Sequence, residues 1–326
     1  MKILVAGAGA IGSVIGGFLY KTGYDVTLAG RGEHLRRIRS RGLDITGIWG
    51  NYNLRNIATI EPQNLPPADT FDIIILCVKS YDTLDAATMY APLLKEDGVC
   101  VSFQNGLGNM EAIASVIGDG RTAGARVIFG AEVPDPGTVR VTVYADQIVI
   151  GPFQQKNNLC KGMLEELAML LETSGIPSYY ADDVYPHLWA KMFYNCPLNP
   201  LSAIFKLTYG ELVKNKDIVS VMDDVVKEAH SVAKAMGIVM PWEHSTDFLD
   251  LFYAALVPST ADHRASMLQD MEKGRKTEID ALNGVIVKYG HELGIPTDVN
   301  ATLARIIRAM EHHHHPPAFA SQIRGT

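Results

Sequence analysis

At 326 residues the chain is long enough to bury a large core and to form two domains. Hydrophobic residues make up 47% and charged residues 20%, the balance of a soluble globular protein, and a net charge of −7 argues against nucleic acid or an anionic membrane as the main partner. The four cysteines (Cys77, Cys100, Cys160, Cys196) lack metal or redox spacing and read as small buried hydrophobes in a reducing compartment.

Met1–Ala6 is a short apolar run of strand type. With no signal peptide ahead of it and no apolar run of membrane-spanning length, a cytoplasmic location is expected. The run leads into Gly7-Ala8-Gly9-Ala10-Ile11-Gly12, followed by an apolar helical pattern from Ser13 to about Lys21 and a second strand at Tyr24–Leu28. This is G-x-G-x-x-G in the strand–turn–helix setting of a dinucleotide-binding fold. Gly7 permits a tight turn, Gly9 a close approach of backbone amides to a pyrophosphate, and Gly12 close helix–strand packing. The helix start offers unpaired N–H groups and a positive dipole end to phosphate.

An NAD site usually carries an acid at the end of the second strand. Here the strand ends Leu28-Ala29-Gly30-Arg31. The fork of Arg31 can pair with a 2′-phosphate, which points to NADPH; the plainer reading is a solvated loop charge. Glu33, two residues on, begins the next predicted helix.

Phe71–Val78 is apolar throughout, as a parallel strand buried on both faces is. Lys79 follows its carboxyl end, where open α/β sheets bind ligands, so it is a candidate for touching cofactor or substrate. A helix over 83–94 and a strand over 98–103 come next. The strand ends in Gln104-Asn105-Gly106, either a simple turn or a site where the Asn105 amide reaches the nicotinamide and the reacting carbonyl. Residues 121–129, 138–143 and 147–150 read as antiparallel strands that complete the sheet.

From about Ala181 the pattern turns helical, with predicted helices over 183–196, 210–236, 242–256 and 277–293. Lys191, Asn195 and Asn199 drift by only about 40° per step around a helix, so they share one face. A lysine among apolar groups loses solvation and suits general acid–base work on a carbonyl compound. The alternative is a surface lysine beside two helix-ending asparagines, with Pro197 and Pro200 as kink and stop. Ser266 reads as a ligand or a local cap, and Glu278 as a functional acid or a first-turn acid favoured by the helix dipole. Leu282, Val285, Ile286 and Tyr289 form an apolar stripe. The histidine run from His312 to His315 is expected in a mobile tail, with only adventitious affinity for metal.

The glycine loop, the Asn105-Gly106 turn, the Lys191/Asn195/Asn199 helix and the Ser266-to-Asn283 block together make the chain resemble the ketopantoate reductase (2-dehydropantoate 2-reductase) family over residues 1 to about 295. The resemblance implies an α/β fold: an N-terminal Rossmann-type doubly wound sheet (1–180) for NADP, an all-helical substrate domain (181–310), and a tail (311–326). It implies reduction of 2-dehydropantoate to (R)-pantoate by NADPH, toward pantothenate and coenzyme A. Lys191 is then the general acid, and Glu278 binds substrate hydroxyls and orients Lys191. Asn195 and Asn199 grip the hydroxyl end, and Ser266 the carboxylate. Asn105 lies where nicotinamide meets substrate, and Lys79 near the cofactor. Gly7, Ala8, Gly9, Ala10, Ile11, Gly12, Arg31, Lys79, Asn105 and Glu278 make up the cofactor set. The expected partner is a small 2-oxo acid, with no nucleic acid, membrane or metal; a homodimer is left open. Two rival readings are a related NAD(P)H-dependent 2-oxo acid, opine or glycerol-phosphate enzyme, and a non-catalytic NADP(H)-sensing regulator.

Overall fold

The computed structural model describes residues 1–154 and 160–314. The chain divides into two compact units, with the break in sequence between Val184 and Tyr185.

The first unit begins β1 (Lys2–Ala6), α1 (Ala10–Lys21), β2 (Asp25–Ala29) and α2 (Gly32–Arg41). Three short strands follow, β3 (Leu43–Gly47), β4 (Tyr52–Leu54) and β5 (Ala58–Ile60), and then the apolar β6 (Phe71–Leu76). Next come α3 (Thr83–Tyr90), β7 (Leu94–Ser102), α4 (Asn109–Ile117) and β8 (Thr122–Arg126). The unit closes with β9 (Phe129–Glu132), β10 (Thr138–Tyr144), β11 (Ile148–Pro152), α5 (Lys161–Ser174) and β12 (Ser178–Tyr180). The main sheet has the order β12-β11-β8-β7-β6-β1-β2-β5.

Alternation along the central strands explains the layers. Ile3, Val5, Ile73, Ile75, Val99 and Val101 pack into one core with Val14 and Phe18 of α1 and Leu167 and Leu171 of α5. Leu4, Ala6, Ile74, Leu76 and Cys100 join the opposite core with Ala86 and Tyr90 of α3 and Ile113 of α4. Strands apolar at every position therefore need helices on both faces, which is the doubly wound arrangement. Strand order reverses at β1, between β2 and β6, and ligands of such sheets bind at that switch point.

The expected hairpins do not all complete this sheet. The run over 121–129 breaks after Arg126, whose guanidinium donates to Asp146 (2.6 Å) and to the Gln147 carbonyl (2.9 Å). Beyond that anchor, β9 and β10 leave to join β3 and β4 in a separate four-stranded sheet, in which β10 runs parallel to β3. Phe18, Trp49, Tyr52 and Phe129 make the aromatic contacts between this small sheet and α1.

The second unit is helical: α6 (Tyr185–Phe205), α7 (Tyr209–Leu212), α8 (Lys216–Ala235) and α9 (Ser245–Leu251). A π-type turn over Phe252–Leu256 leads to α10 (Val257–Ser259), α11 (Ser266–Glu272), α12 (Asn283–Leu293) and α13 (Asp298–His314). Its core is aromatic, with Trp189, Phe193, Phe248 and Phe252 fully buried and the Phe193 and Phe248 rings 5.5 Å apart, edge to face.

Helix boundaries differ from expectation for local reasons. The segment 210–236 splits because the Asn215 side chain accepts from the amides of Asp217 (2.9 Å) and Ile218 (3.3 Å), capping α8. The helix expected from 277 starts at Asn283. Before it, Thr277 Oγ1 accepts from the Ile279 amide (3.3 Å), and Gly284 donates to the Ile279 carbonyl (2.9 Å), so turns replace the first helical turn. Residues 311–314, expected in the tail, continue α13, and Glu311 accepts from the Thr277 amide (2.7 Å). His315, Pro316 and the rest of the expected tail lie outside the described residues.

His34 ties α2 to the β9–β10 turn. Gly137 donates its amide to Nδ1 (3.0 Å), so the imidazole proton sits on Nε2, facing Ser13 Oγ at 3.1 Å. Burial holds the His34 pKa below its ordinary value, and protonation would put an N–H against the Gly137 N–H. The folded pKa lies below the unfolded one, so this contribution to stability is complete above about pH 6.5 and is lost as the pH falls below it. Thermal melts from pH 7.5 to 5 are expected to show a Tm decline that is shallower in His34→Gln; identical slopes would contradict this.

Candidate active site

Residues Gly7 to Gly9 form the turn between β1 and α1, and Ala10 to Gly12 open the helix. Gly7 and Ala8 both donate their amides to the Ala29 carbonyl (2.9 Å each), and Gly9 donates to Gly7 O (2.7 Å). Gly7 has φ +110°, and a Cβ there would lie 2.6 Å from the Val78 nitrogen on β6's exit; a Cβ on Gly12 would collide with Gly7 O. Only glycine fits either position. At Gly9 a Cβ would meet no protein atom within 4 Å, so the turn is open on that side. The first bond of α1 runs from Ser13 N to Gly9 O (2.9 Å), which leaves the amides of Ala10, Ile11 and Gly12 ahead of the helical ladder. An open backbone face beside unbonded helix amides fits a dinucleotide pyrophosphate.

Arg31 stands exposed at the end of β2, as the N-terminal cap of α2. Glu33, the nearby acid, turns to Arg36 at 2.9 Å on the same helix. The strand end therefore presents a guanidinium without an adjoining carboxylate committed to the ribose.

At the carboxyl ends of β6 and β7 a buried polar chain links the two candidate loops. Ser102 Oγ donates to Gln104 Oε1 (3.0 Å), and Gln104 Nε2 donates to the Val78 carbonyl (3.0 Å) and to Thr83 Oγ1 (2.7 Å). Thr83 Oγ1 shares its one proton between the Ser80 carbonyl and Asn109 Oδ1 (2.8 Å each), and Asn109 Nδ2 donates to the Asn105 carbonyl (2.9 Å). Each donor satisfies the next acceptor, and this orients both amides. The backbone of Asn105 is thus held from beneath through Gln104, Thr83 and Asn109. Sequence reasoning passed over those three, although a Gln preceding the Asn-Gly turn was in plain view. Lys79 precedes the short turn Ser80–Asp82 on the neighbouring strand's exit, half-buried.

In the second unit α6 runs unbroken through Pro197 and Pro200 to Phe205, so neither proline stops the helix. Lys191 and Asn195 are half-buried and Asn199 is buried, one turn apart along one face. Asn199 Nδ2 donates to the Asn195 carbonyl (3.3 Å), and Ser266 Oγ, at the start of α11, donates to Asn199 Oδ1 (3.3 Å). Ser266 and Asn199, 67 residues apart in sequence, are brought together. Glu278 lies buried in the turned segment between α11 and α12, where its carbonyl accepts from the amides of Ala281 (3.1 Å) and Leu282 (3.2 Å). Among the described residues no group of three or more His, Cys, Asp or Glu is placed to hold a metal ion, and no helix is long and apolar enough to cross a membrane.

A doubly wound, mostly parallel sheet with a glycine turn at its switch point, followed by a helical unit bearing lysine and carboxamides, defines a nicotinamide-dependent oxidoreductase acting on a small molecule. The chain belongs to the ketopantoate reductase family. Residues 3–155 match the family "Ketopantoate reductase PanE/ApbA", and residues 183–311 its C-terminal counterpart. The 2-dehydropantoate 2-reductase of Aquifex aeolicus is 36% identical over 95% of this chain and 97% of its own length. A PanE/ApbA family ketopantoate reductase from Ralstonia eutropha superimposes with a TM-score of 0.85 at 32% identity, covering 96% of this chain and 99% of that one. D-mandelate dehydrogenase bound to NADH and anilino(oxo)acetate superimposes with a TM-score of 0.87 at 25% identity, covering 96% and 99%.

The open face at Gly9 gives a direct test of the cofactor turn. Gly9→Ala is expected to unfold within about 1 kcal/mol of the parent, the usual scale of a helix-cap change. It is expected to weaken binding of reduced nicotinamide cofactor about tenfold or more, because the added methyl meets ligand rather than protein. Unchanged affinity by fluorescence titration would place the pyrophosphate elsewhere.

Proposed function

We propose that this protein reduces 2-dehydropantoate to (R)-pantoate with NADPH, with Lys191 as the general acid. The observation that carries this reading is the single face of α6. It presents Lys191, Asn195 and Asn199 one turn apart, and the Ser266 hydroxyl is bonded to Asn199 Oδ1 at 3.3 Å. An ammonium followed by hydroxyl- and carboxylate-binding groups suits a 2-oxo acid that also bears an alcohol.

When bound, the reduced nicotinamide supplies a hydride to the ketone carbon. Negative charge then grows on the ketone oxygen, and the Lys191 ammonium stabilises it and passes over its proton, leaving a neutral amine and an alcohol. Asn195 and Asn199 take the hydroxyl end of the substrate and Ser266 its carboxylate. The Glu278 carboxylate accepts from substrate hydroxyls and keeps Lys191 charged and oriented. Asn105 lies where the nicotinamide meets the substrate, Lys79 lies near the cofactor, and the residues from Gly7 to Gly12 take its pyrophosphate. Cofactor binding belongs to residues 1–180 and substrate chemistry to 181–310. The setting is the cytoplasm, on the route to pantothenate and coenzyme A. The similarity to D-mandelate dehydrogenase favours a second reading, an NADH-linked reductase of another 2-oxo acid. A higher kcat/KM for an aryl 2-oxo acid than for 2-dehydropantoate would decide for it.

Lys191→Ala is expected to lower kcat by about 10²–10⁴-fold, the usual worth of a general acid, without changing cofactor affinity. Retained turnover would remove Lys191 from the chemistry. Arg31→Ala is expected to raise KM for NADPH by about ten- to a hundredfold, the loss of a charge-assisted contact worth about 1.5–3 kcal/mol, and to leave KM for NADH nearly unchanged. Equal effects on both cofactors would contradict a 2′-phosphate contact.

A further inference from the structure

Pro200 has no N–H, so the carbonyl of Cys196, four residues earlier in α6, loses its helical donor. The structure fills that gap from another helix. Asn283, fully buried at the first position of α12, donates Nδ2 to the Cys196 carbonyl at 3.0 Å. Its second N–H goes to Asn300 Oδ1 at 2.9 Å. Asn300 in turn donates to the Val225 carbonyl (3.2 Å) and to Glu228 (2.7 Å), and the Glu228 carboxylate accepts the amides of Val299 and Asn300 (2.9 Å each) at the start of α13. These bonds join α8, α13, α12 and α6, with Asn283 donating in two directions: toward Asn300 and α8 on one side, and to the carbonyl left open by the proline on the other.

Asn283 Oδ1 has no hydrogen-bond partner among the described residues. A buried acceptor left unsatisfied costs stability, so the side chain works here through its two donors alone. Cys196 follows Asn195 directly and lies three residues before Asn199, within the turn that carries both carboxamides. We infer that Asn283 is a positioning residue for the substrate site: it supplies the donor that Pro200 cannot and so sets the course of the α6 turn that presents Asn195 and Asn199. This rests on the proposed roles of those two residues in gripping 2-dehydropantoate.

The test is a double-mutant cycle in the full-length protein, reading KM for 2-dehydropantoate, Kd for NADPH and Tm. Asn283→Ala is expected to raise KM about tenfold while Kd stays within about twofold. Pro200→Ala restores a backbone N–H to Cys196 O, so in that background the same substitution is expected to raise KM less than about threefold. Additive effects on KM, or an Asn283→Ala protein whose Tm falls while KM holds, would overturn the inference. Should Asn283→Ala not fold alone, a folded double variant supports the assignment, and failure of both overturns it. Asn199→Ala, measured alongside, separates the two levels. An unchanged KM there removes the substrate-grip reading, whereas a raised KM with additive Pro200 and Asn283 effects removes only the positioning role of Asn283.

Discussion

A helix of 21 residues that contains two prolines must hold its course without the backbone bonds those prolines remove, and the proposed substrate face of the second unit depends on that continuity. Asn199 shares the face of Lys191 and Asn195 only because α6 continues as a helix past Pro197. A break at Pro197 would rotate Asn199 off the shared face and away from Ser266. Neighbours supply the continuity: α8, α11 and α13 pack along α6, and Asn283 reaches across from α12. Trp189 and Phe193 bury one side of the helix in an aromatic core, which leaves the opposite side for polar groups.

The first unit solves a comparable problem with side-chain amides. Under the proposed assignment, loops at the ends of β6 and β7 expose polar groups to a ligand while their backbones stay fixed. The chain from Ser102 through Gln104, Thr83 and Asn109 to the Asn105 carbonyl does this with every donor matched to an acceptor. In both units, then, a buried carboxamide fixes a carbonyl beside a residue proposed to touch substrate or cofactor.

Much of this was legible in the sequence, for physical reasons that differ by region. The glycine turn could be read because φ +110° at Gly7 and the collision at Gly12 demand glycine, and because a strand and a helix flank it. The face shared by Lys191, Asn195 and Asn199 follows from helical periodicity alone. What escaped were features set by partners distant in sequence. The small sheet escaped because β3 pairs with β10, about 95 residues away, and short strands of mixed polarity carry little local signal. The role of Asn283 was hidden because nothing local marks an asparagine as the donor for a carbonyl 87 residues earlier. The prolines in α6 looked like stops because local propensity counts lost bonds and cannot see the neighbour that restores one. The late start of α12 came from side-chain bonds of Thr277 competing with the helix.

The most direct measurement is the disappearance of reduced-nicotinamide absorbance when the purified protein meets 2-dehydropantoate, with NADPH and NADH run in parallel and the product identified by chiral chromatography. Formation of (R)-pantoate, one per NADPH consumed and faster than with pyruvate, 2-oxoisovalerate or an aryl 2-oxo acid, is the expected result. Tight NADPH binding with no oxidation on any of these, or clear preference for another oxo acid, would contradict the assignment of substrate to the Lys191, Asn195 and Asn199 face.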